Sequence, residues 1–302
     1  MTVGNKLGSI TRPTMPSVSS LNGLWQRNRG KAVNAVFSQY PAFVHVFRRA
    51  APVQGRSVPT VEPMEETRKS YHSELDELRA MVVRLGASVI EAVPRATNVL
   101  LSGDLEGADY LVQSDDEIDA RAHDIESRTF EILALQAPVA GELRQLISIL
   151  KITSDLERSA DLAVNICKAA RRIYGKEIDP VLRGLISKMS EQAEQLYQSA
   201  INSFAENDAA TAAAIEDMDS FLDALHRQFI QAIFETHARE KMDLQIAVQL
   251  AIVARFYERI GDHAVNVGER VQFALTGWKP ELRAIQRQRE RDASGEFPIT
   301  QG

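Results

Sequence analysis

Two stretches of the chain, "ERSADLAVNI" from Glu157 and "ERIGDHAVNV" from Glu258, share six of ten residues and lie 101 positions apart. Each sets two carboxylates four residues apart, Glu157 with Asp161 and Glu258 with Asp262. On an α-helix that spacing puts both on one face, where like charges repel by roughly a few tenths of a kcal/mol. Two further pairs stand upstream, Asp115 with Asp119 in "DDEID" and Asp219 with Asp223 in "DSFLD". Converging carboxylates suit a hard or borderline cation: iron, manganese, magnesium or calcium, with zinc also admitted. Among the neighbouring groups, His263 offers a nitrogen ligand to the second set, but position 162 of the first set is Leu.

The elements that must carry these pairs are helices. From about Thr67 the chain is rich in Ala, Leu, Glu, Arg and Gln, with apolar residues three and four apart. Breakers divide it into six segments, about 68–101, 105–135, 139–174, 180–205, 208–238 and 242–276. Gly103 and Asp104, Pro138, Gly175, "ENDA", "REKMD" and Gly277 mark the joints, and Pro94 predicts a kink within the first segment. Short connections and the internal repeat predict an all-α chain of two tandem antiparallel three-helix bundles, 64–177 and 178–277.

Folding each hairpin at its joint brings the pairs level. Residues 119 and 157, and also 115 and 161, are centred on Pro138; 223 with 258 and 219 with 262 are centred inside "REKMD". Both pairs of each hairpin then stand about 28 Å from their turn at 1.5 Å per residue. The competing reading is a solvated face in which Arg158 pairs with Asp161 and Arg259 with Asp262. The symmetry of four pairs about two turns favours metal. Asn165 and Asn266 continue the same row, orienting a carboxylate, binding water or lying exposed. Gly261, costing about 1 kcal/mol relative to Ala in a helix, allows a close helix approach.

Composition narrows the setting. The net charge is −6, but residues 1–63 hold eight Lys and Arg against one acid, Glu62. The remaining 27 basic and 40 acidic residues make a body near −13, ill-suited to nucleic acid. Segment 1–63 is rich in Ser, Pro, Gly and Arg without periodicity and reads as disordered, either a basic tail or, preferred here, an extension upstream of a true start at Met64. Residues 278–302 read as a polar tail. The lone Cys167 forms no internal disulfide and suits a reducing compartment. No uninterrupted apolar run is long enough to span a bilayer.

The run "LALQAPVAGELRQLISILKITSDLERSADLAVNI" and its echo "ARFYERIGDHAVNVGERV" resemble the PhoU family of phosphate-transport accessory and regulatory proteins. The resemblance covers about residues 65–277 and implies two three-helix bundles that bind multinuclear iron or zinc through carboxylate motifs. Those motifs would be Asp115/Asp119, Glu157/Asp161, Asp219/Asp223 and Glu258/Asp262. It also implies a cytoplasmic homodimer that restrains phosphate uptake and the phosphate-starvation response. Its implied partners are the ATPase of the phosphate ABC transporter and a membrane sensor histidine kinase, which bring it to the membrane without an anchor of its own.

Two other classes compete with a regulator. A carboxylate-bridged di-metal oxidase would draw on paired Glu-x-x-His motifs; the nearest approach here is Asp223 with His226, and it occurs once. A histidine phosphotransfer module would use His123 in "HDIESRT", which has no counterpart in the second repeat. No catalysis is expected.

Overall fold

The computed structural model describes residues 64–240 and 242–278. The expectations for the basic segment 1–63 and for the tail beyond Trp278 lie outside these residues. Six helices run in order: α1 (Met64–Ser102), α2 (Leu105–Gln136), α3 (Ala140–Arg172), α4 (Pro180–Glu206), α5 (Ala209–Glu240) and α6 (Leu244–Thr276). Among the described residues there is no strand.

The ends of these helices follow from local chemistry. Asp104, Asp179, Asp208 and Asp243 each accept backbone N–H groups at the start of the next helix, satisfying donors that a first turn leaves unpaired. Gly103, Gly175 and Gly277 take left-handed φ values of 69°, 74° and 75° where the chain leaves a helix. Pro94 does not end α1, which continues through it to Ser102.

The helices form two three-helix bundles, α1–α3 and α4–α6, joined along α1 with α4 and α3 with α6. One hydrophobic core runs through both. Sixteen of the 33 residues of α3 are buried, but only seven of the 32 in α2, so α3 is an inner helix and α2 an outer one. Likewise α6 is inner and α5 outer, packed on α4 and α6. Each fully buried Leu or Ile contributes about 1.5–3 kcal/mol, and α3 carries five of them, Leu146, Ile149, Ile152, Leu156 and Ile166, against Ile125 alone on α2.

Buried polar groups stitch the bundles together. Tyr257 Oη lies 2.6 Å from Thr97 Oγ1, and Tyr197 Oη lies 2.5 Å from Ser159 Oγ. Burial pushes both phenols far above the ordinary tyrosine range, so they stay neutral hydrogen-bonding groups. Along the α3–α6 seam, Arg144 donates to the Ala274 carbonyl, Ser148 to the Arg270 carbonyl, and Asp155 meets His263. Rising numbers on α3 meet falling numbers on α6, so the two cross antiparallel. The repeat offset of 101 carries the Asp155–His263 level onto Leu162–Phe256, the relation of an approximate two-fold.

Candidate functional site: two carboxylate centres

The outer helix of each bundle lays its aspartates against the inner helix that bears the repeated phrase. In the first bundle, Asp115 on α2 lines a crevice with Ala160, Ala163 and Val164 of α3. Its carboxyl is pushed up to about 6, first by burial and then by the charges of Asp119 and Asp161, with Lys168 opposing. Asp119 is raised by burial and by Asp161. Glu157 is raised by burial, then by Asp161, Asp119 and Glu126, against the pull of Arg158. The four carboxylates therefore share one electrostatic neighbourhood. Asp115 Oδ1 is buried with no hydrogen-bond partner.

The second bundle repeats the arrangement with tighter packing. A Cβ built on Gly261 of α6 would stand 2.4 Å from Asp219 Oδ1 and 2.7 Å from Leu222 Cδ2. Glycine thus makes the room that the Asp219 carboxylate occupies. The close approach expected at Gly261 is present, and what approaches is a carboxylate. Asp219 is pushed up to about 6, first by burial and then by Asp223, Asp262 and Glu258. Glu258 is raised by burial and Asp262, while Arg255 and His226 oppose the rise. Arg255 pairs with Glu258 Oε1, and Glu258 Oε2 is buried without a partner.

All eight carboxylates anticipated from the sequence thus fall into two groups of four, one between α2 and α3 and one between α5 and α6. Neither the Arg158–Asp161 nor the Arg259–Asp262 pair of the solvated-face reading forms among the described residues; Arg255 with Glu258 is the ion pair found at the second group. As the side chains stand, no three His, Cys, Asp or Glu among the described residues are gathered to hold an ion. The donors nonetheless suit a cation in type. They are oxygens on facing helices, each group includes a buried oxygen with no partner, and Gly261 leaves room for one of them.

His263 does not join the second group. Its Nδ1 lies 2.9 Å from Asp155 Oδ1 across the seam between bundles, and Asn266 Nδ2 donates to the same oxygen at 3.3 Å. Asn266 therefore helps to orient Asp155 rather than a motif carboxylate. Sequence reasoning passed over Asp155 although it sits among the buried Ile152, Leu156 and Ser159 of α3. An acid on an apolar stripe signals a buried partner, but that partner is 108 residues away. Lys168 and Arg255 were also missed; both are on the carboxylate-bearing helices, seven residues after Asp161 and three before Glu258. His123 stands exposed on α2.

Comparison with known proteins agrees with this duplication. The family model described as PhoU domain matches twice, at residues 82–170 and 186–271. A relative from Mycobacterium tuberculosis, phosphate-specific transport system accessory protein PhoU homolog 1, is 36% identical over 214 residues, covering 70% of this chain and 96% of its own. A PhoU homolog from Clostridium acetobutylicum is 27% identical over 72% of this chain and 99% of its own. The crystal structure of PhoU from Pseudomonas aeruginosa superposes with a TM-score of 0.65 at 27% identity, covering 69% of this chain and all of that one (100%). The phosphate transport system regulatory protein PhoU from Streptococcus pneumoniae gives 0.64 at 26% identity, covering 69% and 98%.

Proposed function

Because this chain belongs to the PhoU family, we propose that it is an accessory protein of phosphate-specific transport that binds metal at its two carboxylate centres. It acts in the cytoplasm as a homodimer and a negative regulator, restraining phosphate uptake and the phosphate-starvation response. Its partners are the ATPase of a phosphate ABC transporter and a membrane sensor histidine kinase. No helix among the described residues is long and apolar enough to cross a membrane. In this reading, contact with the bilayer runs through those partners.

The observation that carries the metal reading is the duplicated set of facing carboxylates with Asp115 Oδ1 and Glu258 Oε2 left buried and unpartnered. Asp115 and Asp219 hold protons more readily than ordinary aspartates, so ion entry displaces protons and is favoured as pH rises through about 6. A bound divalent or trivalent ion, iron, zinc, manganese or magnesium, would supply the positive charge that these groups lack. Asp115 and Asp119 would hold it from α2 with Glu157 and Asp161 from α3; Asp219, Asp223, Glu258 and Asp262 would do so in the second bundle. Each outer helix would then be fastened to its inner neighbour. The regulatory reading draws support from exposed apolar groups that recur in both repeats: Phe130 with Leu143, and Phe234 with Leu244. Such paired surface groups suit protein contact rather than catalysis. The names of the relatives give the oxidase alternative no support.

Elemental analysis of protein purified without chelator is expected to find bound metal, and metal added to stripped protein to raise its melting temperature. Protein that carries none and gains no stability refutes the metal reading. Deleting the gene is expected to release a phosphate-starvation reporter in high phosphate; unchanged repression refutes the regulatory one.

A further inference from the structure

The acidic body carries a face where apolar groups and cations meet at the surface. On α6, Leu244, Val248 and Ile252 stand at i, i+4 and i+8, and they are 69%, 47% and 38% exposed. The register that sets Asp219 against Gly261 brings the exposed Phe234 of α5 level with Ile246, between the first two of them. Arg172, at the end of α3, reaches across to Gln249 Oε1 at 3.4 Å and borders the stripe. Arg255 and Arg259 continue it along α6, three and seven residues beyond Ile252. The contact of Asp155 with His263 sets Arg158 of α3 opposite Ile260, beside Arg259. All four arginines are exposed.

The repeat shows that folding a bundle does not require this face. At the matching positions of the first repeat, Leu143, Ile147 and Lys151 stand for Leu244, Val248 and Ile252, and Ser154 stands for Arg255. The counterpart of Arg172 is Phe273. An apolar stripe with a basic border therefore belongs to the half of the molecule around the start of α6, in a body whose charge is near −13. Exposed apolar groups with a polar rim mark a contact surface.

We propose that this face docks an acidic amphipathic helix of a partner protein. Its apolar residues lie on Leu244, Val248, Ile252 and Phe234, in the manner of a helix that anchors every third and fourth residue. Arg255 is held by Glu258, so Arg158, Arg172 and Arg259 meet its carboxylates and set its orientation. The inference rests on the regulatory reading above and names the chemistry that a partner must offer. The apolar part of the face is four side chains, well below the roughly 800 Å² that each side of a standard interface buries. That is the footprint of one helix rather than of a second copy of the chain. An anionic bilayer would attract the same arginines but would be repelled by the acidic body around them.

The test uses the full chain and a fluorescein-labelled, stapled helical peptide with leucine at every third and fourth position and glutamate on both flanks, read by anisotropy. This peptide is expected to bind, and versions with lysine for glutamate or serine for leucine are expected to bind at least tenfold more weakly. Val248→Asp/Ile252→Asp should weaken the acidic peptide tenfold or more, with an unchanged melting temperature showing that the fold is intact. Arg172→Glu/Arg259→Glu should exchange the preference, so that the lysine peptide binds better than the glutamate one, a result that misfolding cannot produce. Equal binding of the two peptides, or acidic-peptide binding that survives Val248→Asp/Ile252→Asp, overturns the inference. Binding to phosphatidylglycerol vesicles in preference to the peptide overturns it too. In cells, Val248→Asp/Ile252→Asp should release the phosphate-starvation reporter in high phosphate as deletion of the gene does. Full repression by that variant, with release on deletion, overturns the docking face alone; unchanged repression on deletion overturns the regulatory reading itself.

Discussion

The first and second repeats agree where a residue serves its own hairpin and differ where it serves the other bundle. Within each hairpin the four carboxylates recur at matched levels. Across the seam the matching stops. The first repeat contributes Thr97, Asp155 and Ser159; the second answers with Tyr257, His263, Asn266 and Tyr197. At the positions related by the approximate two-fold, Asp155 and His263 become Phe256 and Leu162. A duplicated ion site needs the same donors twice, whereas a buried hydrogen bond needs unlike partners once. The pattern of divergence therefore separates the residues of the centres from those of the seam.

Substitutions at the seam should have the largest effect. Asp155→Ala leaves the buried His263 Nδ1 and the half-buried Asn266 amide without their acceptor, and it should cost about 2–3 kcal/mol in denaturant unfolding. The double substitution Asp155→Phe/His263→Leu copies the apolar side of the two-fold and should recover part of that loss. If Asp155→Ala costs nothing, the distinction between seam and centre falls.

The glycine of the second centre sharpens the comparison. Gly261→Ala displaces the Asp219 carboxylate, which a Cβ would approach to 2.4 Å. Metal binding at the second centre should weaken roughly tenfold, about 1.4 kcal/mol. Metal-free stability should change by less than about 1 kcal/mol, since alanine is the better helix former. The converse Ala160→Gly should lower stability by about that amount and leave ion binding at the first centre nearly intact, as calorimetry of each variant would read.

A smaller effect follows from acidity. Asp115 and Asp219 have folded-state values raised from 3.8 to about 6, so the native state binds their protons more tightly than the unfolded chain. The metal-free protein should therefore lose stability as pH climbs from about 4 through 6. Asp115→Asn or Asp219→Asn should restore roughly 1 kcal/mol at pH 7, discounted for solvent screening. Melting curves at pH 5 and pH 7 would check both, and a metal-free melting point that rises over that interval would count against the clustered carboxylates. Least of all, Phe130→Ser and Phe234→Ser should each shift stability by only about 0.5 kcal/mol or less. A pull-down with the transporter ATPase should lose more from the Phe234 change, because that ring is 67% exposed against 43% for Phe130.

Much of this was legible in the sequence because it is local. Helix spacing and the breakers at the joints placed the six segments to within a few residues, and equal distances from the turns brought the carboxylates level. The repeat also revealed the division into two bundles. What escaped depends on rotation and on distant contacts. Nothing in the neighbourhood of His263 says that it turns from Asp262 towards Asp155, because that choice is made by the crossing of α3 and α6. The roles of Tyr197 and Tyr257 were hidden for the same reason, since an aromatic on an apolar stripe looks like any other core residue until its hydroxyl finds a partner.

The one-sided chemistry of the seam governs what two separated halves of this chain could do. Two first halves brought together in the same way would press the Asp155 carboxylate onto Leu162, and two second halves would press His263 onto Phe256, leaving a polar group stranded in each case. Fragments cut between α3 and α4 and mixed should therefore recombine as unlike pairs, each half supplying the complement that its twin lacks.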